Sequence, residues 1–140
     1  MALKKPDWLL DPHSCPGFER AELKAQIEDV ISRSKVKDGF CFVSAMHITA
    51  GIYVNDAESG LLTDISGWIE NLAPFGKDYE HHQTGEENAD AHLKSFLTNH
   101  SVTAPLREGR LDFGTWQHLF YAEYDGRRDK RILVKVTGLS

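Results

Sequence analysis

The chain of 140 residues has only two cysteines, Cys15 and Cys41, in unlike surroundings and with no CxxC pair. No disulfide framework organises it, and a reducing compartment is the simplest setting. It has no run of eighteen apolar residues, and its first fourteen, MALKKPDWLLDPHS, lack the apolar stretch and cleavage pattern of a secretion signal. A soluble, cytoplasmic protein with no membrane role is therefore expected. Basic residues are not in excess: sixteen Lys and Arg stand against twenty-one Asp and Glu, a formal charge of −5. Nucleic-acid binding needs a basic footprint and is argued against, whereas a phosphorylated small molecule can still be held by local Lys and Arg. The serine-hydrolase pattern GxSxG and the phosphate loop GxxxxGK are missing, as are internal repeats and low-complexity tracts.

What is present is enough apolar residue, 41%, for one sizeable core, and the length favours one domain. Residues 1–17 hold Pro6, Pro12 and Pro16, show no period, and read as an irregular arm ahead of a domain over 18–140. From Ala21 to Ser34, Leu23, Ile27, Val30 and Ile31 recur at helical spacing. Phe40 to Ala45 reads as a buried strand ending near His47, and Thr49 to Val54 as a second strand, with Asn55-Asp56 offering a cap. Leu61, Leu62, Ile65, Trp68, Ile69 and Leu72 stripe a second helix that Pro74 stops. A third, short helix over Ala89–Leu97 takes Asn88 as its cap. Val102–Leu106 reads as an edge strand because of Pro105. Trp116–Glu123 alternates, with Gln117, Leu119, Tyr121 and Glu123 on one face, and it forms a hairpin with Arg131–Val136 around Asp125-Gly126. The fold class is α+β: one compact domain with a mainly antiparallel, sandwich-like sheet core and two to three helices.

Chemistry concentrates in Tyr79–Lys94, YEHHQTGEENADAHLK, which packs three of the seven histidines beside four carboxylates. Imidazole suits zinc, nickel, copper or iron and carboxylate suits magnesium or manganese, so the mixture leaves the metal open. No fixed pattern such as HExxH applies, and exposed loop histidines with a chance helical neighbour are the plainer reading. Asn88 and His92 lie one turn apart near a helix start, where backbone N–H groups attract anions. His47 is a candidate site residue or a satisfied buried histidine. Glu123 is a general base or ligand if it lies in a site, and a surface charge if not. Lys94, Arg110, Arg127 and Arg128 are candidate phosphate partners, although exposed Lys and Arg are common.

Six ordered motifs give a further lead: His47-Ile48-Thr49-Ala50-Gly51-Ile52, Tyr79-Glu80-His81, Asn88-Ala89-Asp90-Ala91-His92-Leu93-Lys94, Gly109-Arg110-Leu111, Gly114-Thr115-Trp116-Gln117 and Glu123-Tyr124-Asp125-Gly126. Together, over residues 18–138, they resemble the YjbQ-like family, also called the secondary thiamine-phosphate synthase family. The resemblance implies a homotrimer with its polar residues near subunit boundaries. It also implies joining of hydroxymethylpyrimidine diphosphate to thiazole phosphate with release of pyrophosphate. Carried over by position, His47, His81 and His92 form a metal or phosphate site, with zinc or magnesium as the expected divalent ion. Glu123, His81 and Lys94 are the expected catalytic groups, and Asn88, Gln117, Arg110 and Thr49 are expected to hold substrate. Many relatives carry H-x-x-E-G, whereas here His81-His82-Gln83-Thr84-Gly85 lacks the carboxylate, which His82, Glu86 or Glu87 would replace. A metal-dependent hydrolase and a non-enzymatic binding protein are the competing expectations.

Overall fold

A computed structural model describes residues 2–4 and 19–140. In chain order the elements are β1 (Ala2–Lys4), β2 (Glu19–Glu22), α1 (Lys24–Ser34), β3 (Asp38–Ala45), β4 (Ala50–Asn55) and α2 (Ser59–Leu72). A 3-10 turn (Glu80–Thr84), α3 (Ala89–Thr98), β5 (Ser101–Arg107), β6 (Arg110–Leu111), β7 (His118–Glu123) and β8 (Arg131–Leu139) follow. The strands form two antiparallel sheets, one ordered β1-β8-β3-β5-β6 and the other β2-β7-β4. The α+β sandwich-like architecture with three helices is the one the periodicities predict.

The main core lies between the sheets. Cys41, Val43, Ala104, Leu106, Ile132 and Val134 face Ala50, Ile52, Leu119 and Tyr121, and Ile27, Val30 and Ile31 of α1 close the layer. Burying a side chain such as Ile27 or Ile31 completely contributes about 1.5–3 kcal/mol each, and both are fully buried. The other face of β7 is covered as well: Ala122 and the adjoining Tyr124 pack with Ile69 of α2 and Ala91 of α3. Leu119 through Glu123 are consequently all buried, as expected of a strand covered on both faces. The seat of α3 is close. Ser95 Oγ donates to Ala50 O at 2.7 Å, Ile52 N donates to Asn99 O at 3.2 Å, and a Cβ on Gly51 would lie 2.7 Å from Asn99 O. Only a residue without a side chain lets the helix end approach β4 this far.

Several expectations need correction. The arm is not irregular throughout: residues 2–4 pair with Arg131–Leu133 of β8, while residues 5–18, with all three arm prolines, lie outside the described residues. The first helix starts at Lys24 because Ala21 belongs to β2, paired to Tyr121; Ala21 and Leu23 fit either period. The cap of α2 is Glu58, whose carboxylate accepts from Gly60 N at 2.7 Å and Leu61 N at 2.8 Å, and not Asn55 or Asp56. Asn88 stands at the start of α3 without a capping bond from its side chain.

The largest difference is the expected β7–β8 hairpin. Both edges of β7 are occupied by β2 and β4, so the chain leaves at Asp125 and crosses to the other sheet, where β8 pairs with β3. The turn at Glu108-Gly109 does form a hairpin. Positive φ at both residues, 54° and 77°, matches the turn that suits strand twist. It pairs Leu106 and Arg107 with β6, and Asp112 N donates to Pro105 O at 2.9 Å, so β5 lies between β3 and β6 and is not the edge strand expected from Pro105. No described helix is long and apolar enough to cross a membrane.

Candidate functional site

The crossing from β7 to β8 is held by a buried ion pair. Glu123 Oε1 accepts from Lys130 Nζ, and both side chains are almost fully buried. Glu123 also accepts from Tyr121 Oη through Oε2 and from Gly126 N at 2.9 Å. Burial alone would raise this carboxyl, but the Lys130 ammonium and these hydrogen bonds outweigh it and hold it below the usual value. Burial, then the adjacent carboxylate, raises the Tyr121 hydroxyl far above its usual range, so it remains a donor.

Lys130 also donates to Thr49 Oγ1 at 2.7 Å, and Thr49 Oγ1 lies 2.9 Å from His47 Nδ1. The backbone N–H of Thr49 donates to the same Nδ1 at 3.2 Å. Burial first, and the Lys130 charge second, lower the His47 pKa. Thr49 itself is fully buried, whereas His47 is half-buried and lines a groove of about 960 Å³. His92, Ser95, Phe96, Asn99 and His100 form the α3 side of this groove, with Phe42, Ser44 and Leu133 on the sheet side. His92 is also lowered, by burial and then by His81, whose ring meets it edge-on with centroids 4.8 Å apart. Arg128 influences both His47 and His92, and its guanidinium reaches Glu86 at 3.2 Å.

Of the expected site residues, His47, Thr49, His81, His92 and Glu123 are thus gathered around one end of the sandwich. They do not form a three-histidine metal set. Among the described residues no three His, Cys, Asp or Glu side chains are grouped so as to hold an ion. The donor chemistry gives the reason. A metal-binding histidine ordinarily donates its second ring N–H to a neighbour, but His47 Nδ1 accepts from the Thr49 N–H, which puts the ring proton on Nε2. In this tautomer His47 Nε2 offers a proton and no lone pair to a cation.

Other expectations are also corrected. Lys94 is not a free phosphate partner or catalytic cation: it is fully buried, with Nζ 2.6 Å from Glu70 Oε2 and 3.0 Å from Asp90 Oδ2. Arg110 is at the wrong end of its sheet. Ser101 pairs with the groove residue Ser44, whereas Arg107 pairs with Arg110, and six strand steps separate those ends by about 20 Å. Gln117 does not share a face with Glu123. It precedes β7, where its Oε1 accepts from Gly114 N at 2.8 Å, and the neighbouring His118 pairs with Asn55 at the end of β4 remote from Ala50 and Glu123. Asn88 is buried, and its Oδ1 has no partner among the described residues. The His82 ring packs edge-on against Tyr79. Glu86 does stand near the site, through its pair with Arg128.

Lys130 is the site residue that sequence reasoning misses. It lies in Gly126-Arg127-Arg128-Asp129-Lys130-Arg131, a charge run that reads as a solvated turn, and nothing in its spacing marks one lysine of that run as buried.

Comparison with known proteins points to one family. The family described as UPF0047 protein YjbQ-like matches residues 14–139. A UPF0047 protein of Archaeoglobus fulgidus is 42% identical, covering 78% of this chain and 86% of its own length. The Bacillus subtilis UPF0047 protein YugU is 27% identical, over 86% and 90%. The crystal structure of a YbjQ-like protein of unknown function from Sulfolobus solfataricus superposes with a TM-score of 0.79 at 30% identity, over 96% and 91%. A YjbQ/UPF0047 family protein from Clostridium acetobutylicum does so with a TM-score of 0.81 at 29% identity, over 98% of both chains.

The buried pair gives a stability prediction. Glu123→Gln removes one partner and leaves the Lys130 ammonium unpaired, at an expected cost of about 3–5 kcal/mol near pH 7 in chemical denaturation. The folded pKa of Glu123 is depressed, so its contribution is present above the ordinary value of 4.5 and is lost as pH falls through the folded value. The variant should therefore show a shallower fall in stability below pH 4.5 than the parent. An unchanged acid limb together with unchanged stability at neutral pH would contradict the pair's role.

Proposed function

The chain belongs to the YjbQ-like UPF0047 family, and from that premise we propose that the groove binds a phosphorylated small molecule. We propose further that it supports transfer of the thiamine-phosphate type, with pyrophosphate as the leaving group. The observation that carries the reading is His47, whose Nδ1 is occupied as an acceptor at Thr49, leaving Nε2–H as the ring's donor. A neutral N–H donor, a second neutral histidine at His92 and the Arg128 guanidinium are partners for phosphate oxygens.

The chemistry asks for little more. In the transfer, the thiazole nitrogen uses its lone pair to form a C–N bond to the pyrimidine methylene carbon. The C–O bond to the diphosphate breaks, and that electron pair leaves with pyrophosphate. The attacking nitrogen carries no proton, so no general base is needed. What the site must supply is stabilisation of the negative charge that grows on the leaving group. His47, His92 and Arg128 take that role in place of Lys94 and Arg110, and Glu123 acts through Lys130 and not as a proton acceptor. A hydrolase of the same pocket would need a group that activates water, and the Glu123 carboxylate is already bound by Lys130, Tyr121 and Gly126. A cytoplasmic setting belongs to the same proposal.

We also propose a homotrimer, supported by the apolar residues left exposed beside the groove, with Phe96 87% and Ile48 68% accessible. Light scattering should give three times the chain mass of 15.8 kDa; a monomer at micromolar concentration would contradict it.

Calorimetry with inorganic pyrophosphate in the presence of a chelator, followed by incubation with both phosphorylated substrates, tests the main reading. The parent should bind pyrophosphate and form thiamine phosphate, and His92→Ala and Arg128→Ala should each weaken binding about tenfold while folding normally. Absence of binding in the parent would overturn the reading. Binding without turnover would favour a non-enzymatic binding protein, and release of the free pyrimidine alcohol without coupling would favour a hydrolase.

A further inference from the structure

The directions of the hydrogen bonds around Thr49 are fixed by the donors. An ammonium has no acceptor lone pair, so Lys130 Nζ donates to Thr49 Oγ1. A backbone N–H likewise only donates, so the contact from Thr49 N to His47 Nδ1 requires a lone pair on that nitrogen. The remaining contact, between Thr49 Oγ1 and His47 Nδ1 at 2.9 Å, then runs from hydroxyl to imidazole. Glu123 anchors the opposite end by accepting from Lys130. The chain Glu123, Lys130, Thr49, His47 carries one consistent polarity from a buried carboxylate to the wall of the groove.

We infer that Lys130 and the Thr49 hydroxyl are a positioning pair that reinforces the His47 tautomer required by the Thr49 N–H, keeping its proton on Nε2 so that the groove meets an N–H donor suited to a phosphate oxygen. The inference rests on the reading of the groove as an anion site and names how that site selects its ligand. The donor on Nε2 matches an oxyanion, whereas a cation would need the lone pair that this tautomer does not offer there. Turning the ring over would place a carbon at the Thr49 N–H and leave that buried donor unmatched, so ring orientation and proton position are set together. Neither Thr49 nor Lys130 touches the ligand in this arrangement; both are buried and act through His47.

The test is nitrogen-15 NMR of the histidine rings, with calorimetry of inorganic pyrophosphate on the same samples. In the parent, His47 should show a bare Nδ1 and a protonated Nε2. Thr49→Val removes the hydroxyl donor at nearly constant shape, and Lys130→Met combined with Glu123→Gln removes the pair without leaving an unmatched buried charge. In both variants the Thr49 N–H still favours a bare Nδ1, so the two ring nitrogens should move part of the way towards a mixture of tautomers, and pyrophosphate affinity should fall by up to about twofold. Thr49→Ser, which keeps the hydroxyl, should restore both readouts. A parent His47 with its proton on Nδ1, or tautomers unchanged in folded Thr49→Val and in the double variant, would overturn the positioning role. If the tautomers respond as stated but the parent binds no pyrophosphate, the positioning role stands and the anion reading falls.

Discussion

The ion pair between Glu123 and Lys130 is the constraint on which the rest of this site depends. Two charges in a dry interior are costly unless each is matched, and here each is matched more than once. The pair sits where the chain passes from the three-stranded sheet to the five-stranded one, so the requirement to satisfy both charges fixes the crossing. Because Lys130 also reaches Thr49, at the entrance to β4, the same requirement fixes the loop that carries His47. Fold and site share one buried network, and a change to either end of it is felt at the other.

A second buried lysine has a different part. Lys94, with Asp90 one turn before it on α3 and Glu70 on α2, ties the two helices together. Its charge is answered within the protein, which is why a lysine in a motif with phosphate-binding promise contributes to the placement of His92 and not to ligand contact. The groove itself is then furnished with imidazoles, those of His47 and His92 shifted towards their neutral form, and one partly exposed guanidinium nearby. For a chain of net charge −5 this arrangement makes sense: attraction for an anion is local, supplied by directed donors, and does not depend on the overall field.

Much of the fold is legible in the residue pattern. The stripe of Leu23, Ile27, Val30 and Ile31 gives α1 because a half-buried helix must present one apolar face; the stripe of Leu61 through Leu72 likewise marks α2, although only Ile69 of it is buried. Strands β3, β4, β7 and β8 are visible as apolar runs for the same reason. Which strands pair is not visible. Asp125-Gly126 reads as a hairpin turn because local turn chemistry is all that sequence offers there, while the occupation of both β7 edges by β2 and β4 is a long-range fact. Of the site, the histidines and Thr49 stand out through their motifs. Lys130 does not, because burial of one lysine inside a run of charges depends on a carboxylate seven residues earlier having been turned inward. Gln117 and Arg110 mislead for the complementary reason: motif neighbours in sequence can lie at opposite ends of a sheet.

The central claim is that the groove presents the Nε2–H of His47 to an oxyanion. It is tested most directly by a crystal structure of the protein grown with pyrophosphate. The account predicts a pyrophosphate oxygen within hydrogen-bonding distance of His47 Nε2, about 2.7–3.2 Å, with Thr49 still on Nδ1 and Lys130 still on Thr49. A metal ion on His47 Nε2, or pyrophosphate bound away from the groove, would contradict it.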